Sequence, residues 1–98
     1  MIKKKDIIER INLDFGHEAL EAFKLLQPWG RNERVLRCII YLSKGSLNEL
    51  NHVMTQAMTD NRDVMLWAEY KGLTGTEDFK RVRDFNETFE ESEINFKE

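Results

Sequence analysis

"RVLRCIIYLSKGSLNEL", residues 34–50, decides how the chain is read. On a helical wheel of about 100° per residue, Val35, Leu36, Cys38, Ile39, Ile40 and Leu42 cover well over half the circumference. They leave one narrow stripe made of Glu33, Arg34, Arg37, Tyr41 and Lys44. Neighbours must cover so wide an apolar arc on several sides, so this helix is expected at the centre of the fold. Asn32 offers a side-chain oxygen to cap its start, and Gly45 supplies the left-handed residue that commonly follows a helix end. Ser46 with Glu49 then spells a capping box for the next helix.

Upstream, Ile7, Ile8 and Ile11 stripe a first helix. Phe15, Ala19, Ala22, Phe23 and Leu26 stripe a second, which ends before Pro28 because the residue preceding a proline avoids helical geometry. "QPWGRN" follows as a loop. Downstream, Leu47, Leu50, Val53, Met54, Ala57 and Met58 form one face of a fourth helix, with His52 and Gln56 opposite, as expected at a surface. Asp60 or Asn61 caps a fifth helix that Gly72 closes, and Trp67 shares an arc with Val64 and Ala68, which marks it as an expected core anchor. Beyond Gly72, Phe79, Val82, Phe85 and Phe89 are either one face of a helix or the anchors of an irregular arm. Both readings dock this segment on the body. The predicted fold is therefore all-α: a compact bundle of about five helices around a central third helix, with a C-terminal docked arm and an acidic tail. Residues 1–90 are expected to form the single domain and residues 91–98 a mobile tail.

Ninety-eight residues suit one core. The net charge of -3 provides no whole-molecule field of the kind nucleic-acid binders carry. Negative charge gathers at the end, where Asp84, Glu87, Glu90, Glu91, Glu93 and Glu98 outnumber Lys97. The basic clusters, Lys3 to Lys5 and Lys80, Arg81 and Arg83, are short and expected to be solvated. "RDVMLWAEY", residues 62–70, is too apolar and acidic to be a recognition helix. Nucleic acid is thus not the expected partner. No stretch reads as a signal peptide and no apolar run approaches the roughly 18 residues of a membrane span, so a cytoplasmic protein is expected. Cys38 is alone, which excludes an intrachain disulfide. His17 and His52 fall on polar faces without metal-ligand spacing, and the glycine-rich phosphate loops and the GxSxG elbow are missing. No metal, cofactor or catalytic residue is predicted. "NET" at residues 86–88 matches a glycosylation acceptor, which has meaning only with a secretory route.

Three charges interrupt the apolar "RDVMLWAEY". Asp63 falls in the first helical turn, where an acid meets the positive end of the helix dipole. Glu69 lies between two apolar arcs, so a buried Glu69 needs a cationic partner, and Arg34, Arg37 and Arg62 are the nearest suppliers. The leading expectation is a structural ion-pair network of Arg34, Arg37, Arg62, Asp63 and Glu69. The alternative is a ligand site of Arg37, Tyr41, Asp63 and Glu69 where the third and fifth helices meet.

Together, "RVLRCIIYLSKGSLNEL" and "RDVMLWAEY" are similar to small uncharacterised bacterial proteins, over residues 34–70. The resemblance implies a bacterial, cytoplasmic, single-domain protein and brings no activity, cofactor or site residue. The expected function is a protein-interaction or regulatory module that binds another protein or itself, with Trp29 and the acidic arm as contact surfaces. The alternatives are a small-molecule binder or enzyme, and a nucleic-acid accessory protein using the lysine and arginine clusters.

Overall fold

Helix α1 (Lys5–Phe15) buries Ile7, Ile11 and Phe15, spaced four apart on one face. Phe15 thus belongs to α1 and not to the next helix, because Gly16 takes a left-handed φ of 54° and breaks the chain there. A short turn, Gly16–Glu18, leads into α2 (Ala19–Leu26), and a second, Gln27–Trp29, carries Pro28. Helix α3 (Glu33–Ser43) follows, then α4 (Leu47–Thr59) and α5 (Asn61–Glu69). The computed structural model describes residues 2–71 and 80–92, which are mostly helical.

The capping expectations translate into specific bonds. Asn32 accepts from the Val35 N–H at 3.2 Å, and Asp60, rather than Asn61, accepts from the Arg62 N–H at 3.0 Å. Ser46 accepts from the Glu49 N–H at 3.2 Å. The reciprocal half of the box is replaced, since the Ser46 N–H donates to the Ser43 carbonyl instead. Between α3 and α4 the chain passes through two left-handed residues, Lys44 and Gly45. Gly45 is required twice over: its φ is 77°, and a Cβ there would collide with the Asp14 carbonyl oxygen of α1.

Helix α3 packs on α1, α4 and α5. Every residue from Val35 to Ile40 is buried, Arg37 included. Around it close Leu26 from α2, Leu50 and Val53 from α4, and Val64 and Ala68 from α5.

The all-α expectation needs one correction. Helix α5 stops at Glu69, not at Gly72, and Tyr70 leaves in extended geometry. Strands β1 (Tyr70–Lys71) and β2 (Lys80–Arg81) then pair antiparallel, Tyr70 opposite Arg81. The Glu69 carbonyl accepts from the Val82 and Arg83 N–H groups, so partners from the arm replace the continuing helix. Residues 82–92 run as turns and irregular chain, which decides between the two readings of the arm as far as it is described. Residues 76–79 of that arm and 93–98 of the expected mobile tail lie outside the described residues. Within the tail, Ser92 is buried.

Trp67 is the second correction: it is 42 % exposed, not a core anchor. The buried arc of α5 runs from Val64 through Ala68 to Glu69, and Trp67 falls about 60° outside its edge. Burying a carboxylate turned the helix away from its largest apolar residue. Met58, expected on the apolar face of α4, is likewise 78 % exposed.

Candidate functional site

The charged stripe of α3 is where the sequence concentrates its polar chemistry, and the structure fills both arginines. Arg34 grips Glu69 with two hydrogen bonds, Nη2 to Oε1 at 2.6 Å and Nε to Oε2 at 3.1 Å. Arg37, one turn later and 3 % exposed, grips Asp6 of α1 the same way, at 2.8 and 3.0 Å. Such fork-to-fork pairs are the strongest neutralisation available to a buried charge.

Both carboxylates also hold the arm. Glu69 Oε2 accepts from the Phe85 N–H at 2.9 Å, and Asp6 Oδ2 accepts from the Phe89 N–H at 3.0 Å. The third nitrogen of Arg37 donates to the Phe85 carbonyl at 3.0 Å. Phe85 is thereby held at both its backbone groups, and its ring is buried 5.5 Å from that of Tyr41 and 5.6 Å from that of Phe89. Guanidinium groups close the aromatic cluster, Arg83 over Tyr41 at 4.4 Å and Arg10 over Phe89 at 4.7 Å. Arg81 completes the polar centre, donating to Glu69 at 3.3 Å and to Asp84 at 2.9 Å. The arm closes on itself where the Asp84 N–H donates to the Ser92 carbonyl at 2.7 Å.

Electrostatics follow from these contacts. Burial pushes the Asp6 carboxyl up, but the Arg37 hydrogen bonds, the Phe89 N–H and the Arg37 charge outweigh it and hold the group below its ordinary value. The same contest, with the Asn86 N–H and the Arg81 charge against burial, lowers Asp84. Hydrogen bonding to Glu69 raises Arg34. Burial, followed by the nearby Glu69 carboxylate, drives the Cys38 thiol far up, which leaves it a small apolar group and not a nucleophile.

Of the residues named from sequence, the structure joins Arg34 with Glu69 and gathers Arg37, Tyr41 and Glu69 around Phe85. Three expectations are corrected. Arg37 pairs with Asp6 and not with an acid of α5. Arg62 pairs with Asp60 in solvent, at 3.0 Å. Asp63 makes no ion pair with Arg34 or Arg37, since it lies about 120° around α5 from Glu69. Sequence reasoning missed Asp6; Arg81, expected to be solvated, instead pairs with Glu69 and Asp84, and Phe85 docks as the arm anchor expected but at a place on α3 that the sequence did not give. The acid at the head of α1 and the aromatics of the arm were visible, but nothing in their spacing ties them to α3.

Chemically, Glu69 is saturated. A carboxylate offers about four lone-pair sites, and Glu69 receives two bonds from Arg34, one from Arg81 and one from Phe85. Among the described residues, no group of three His, Cys, Asp or Glu side chains converges as a metal site, and no buried side-chain nitrogen or oxygen lacks a partner. No described helix is long and apolar enough to cross a membrane.

Elsewhere, Leu25 and Pro28, Trp29 beside them, and Met54 and Met58 of α4 line a groove of about 360 Å³. A polar hollow of about 440 Å³ lies at the start of α1, where Lys4, Lys5, Asp6 and Glu9 face Thr88 and Glu90. Comparison with known proteins finds no matching family model, curated protein or solved structure.

Proposed function

We propose that this chain is a small cytoplasmic protein-interaction module with no catalysis of its own. The observation that carries the reading is the groove of Leu25, Pro28, Trp29, Met54 and Met58, a continuous apolar wall on a chain whose charged centre is occupied by its own arm. Methionine and tryptophan are the side chains of adaptable contact surfaces: the thioether re-packs against different partners and the indole contributes a large rigid face. The saturated Glu69 supports the absence of acid–base chemistry.

The test uses the tagged chain to retain a partner from a bacterial lysate, beside Met58→Glu and His52→Ala. Both residues are exposed on α4, so neither change disturbs the core. A partner held by the wild type and by His52→Ala but lost from Met58→Glu supports the reading. Retention by all three, or by none, ends it.

A further inference from the structure

We propose that the cleft between α1, α3 and α5 is a polypeptide-binding groove in which the chain's own arm, residues 82–92, sits as an intramolecular ligand. A segment of another protein with the same chemistry, an acid-Phe-x-x-x-Phe pattern matching Asp84, Phe85 and Phe89, displaces it. The proposal shares with the reading above only the premise that this chain binds other polypeptides, and it uses a different surface.

The contacts are those of peptide recognition. Glu69, Asp6 and Arg37 hold the arm through the Phe85 N–H, the Phe89 N–H and the Phe85 carbonyl, main-chain groups that another polypeptide in the same turn conformation can offer. Selectivity is left to two side chains: Phe85, enclosed beside Tyr41, and Phe89, against Arg10. Arg81, which donates to both Glu69 and Asp84, favours an acid before the first aromatic. Main-chain hydrogen bonds that bind and spaced pockets that discriminate are the general means by which grooves read peptide segments.

The groove is also built to survive the arm's departure. Arg34 with Glu69 and Arg37 with Asp6 are pairs within the body, each bidentate, and neither needs the arm for its neutralisation. An emptied groove therefore strands no charge; it uncovers acceptor sites that water or a new chain satisfies. Beyond these contacts the arm is tied to the body near its start, by the two-residue ribbon, by the Val82 and Arg83 N–H groups on the Glu69 carbonyl and by the Arg83 guanidinium on the Ala68 carbonyl. From residue 84 to 92 it runs as turns and irregular chain. A segment tethered in cis competes at an effective concentration of about millimolar, so the resident arm acts as an autoinhibitor that weakens binding without abolishing it.

The experiment titrates a fluorescein-labelled peptide of residues 82–92 into the full chain, monitored by anisotropy. Phe85→Ala removes the ring that seats the resident arm, and the expected result is peptide affinity about tenfold or more above that of the wild type. A peptide with both phenylalanines replaced by alanine is expected not to bind either chain. If circular dichroism shows that Phe85→Ala does not fold, Phe89→Ala, at a half-buried position, serves in its place. Equal affinity of the wild-type and arm-weakened chains for the peptide overturns the proposal, as does binding of the phenylalanine-free peptide. A concentrated wild-type chain running as a dimer that the peptide dissolves assigns the groove to a second copy and overturns the foreign partner. Loss of the lysate partner from Met58→Glu leaves this result untouched, so the two readings fail separately.

Discussion

The backbone N–H of Phe85 donates to the carboxylate of Glu69 over 2.9 Å, across sixteen positions of sequence. Glu69 is the last residue of α5 and has no exposed surface, and Phe85 is the best-buried aromatic among the described residues of the arm. One buried acid thus ends a helix, neutralises Arg34 and fastens the C-terminal segment to the core.

Glu69→Gln is expected to destabilise the chain by about 2–3 kcal/mol. Breaking a buried pair costs roughly 3–5 kcal/mol, discounted because the orphaned Arg34 is 32 % exposed and reaches water. Thermal melts of Glu69→Gln, Arg34→Met and the double mutant check the pairing. The losses should be strongly non-additive, and additive losses would remove the strut.

Truncating the arm's anchor is expected to cost more than truncating the larger indole of α5. Phe85→Ala opens a buried cavity and should lose about 3–5 kcal/mol. Trp67→Ala should cost less, about 1–2 kcal/mol, because 42 % of that residue is already exposed and no enclosed cavity opens. Urea midpoints rank the two, and a Trp67→Ala loss equal to that of Phe85→Ala contradicts the burial described.

Acid should loosen the arm in a defined window. The folded Asp6 pKa lies below the unfolded value of 3.8, so its stabilisation is fully present above that value. It is lost as pH falls through the lower, folded value. Asp6→Asn leaves Arg37 unpaired at neutral pH, and its stability deficit against the wild type should shrink as pH drops below about 3.8. Denaturation at pH 7, 4 and 3 measures the gap; a deficit that does not change with pH refutes the role given to the pair.

Cys38 should be silent toward thiol reagents in the native state. It is buried and its pKa is raised by burial, so labelling by an aromatic disulfide should track global unfolding and accelerate with urea. Rapid labelling in buffer would show that α3 is not enclosed.

By itself the sequence determined the helices and most of their ends. The wide apolar arc of residues 35–42 is a local pattern with period 3.6, and the caps at Asn32, Ser46 and Asp60 each act within three residues, so both are written in short windows. It also announced that Glu69 needed a cation and that Arg34 was at hand, because a buried charge must be paired. Only the tertiary structure decided which arginine met which acid. Asp6 and Arg37 are 31 positions apart and Asp6 and Phe89 are 83, separations over which no periodicity carries information. The same holds for the end of α5, where the ribbon strand and the buried carboxylate overrode the helical pattern that continues to Gly72, and for Trp67, turned outward once Glu69 was turned in. Local rules set what each segment can be, and the need to pair every buried charge and backbone group chose how the segments face one another.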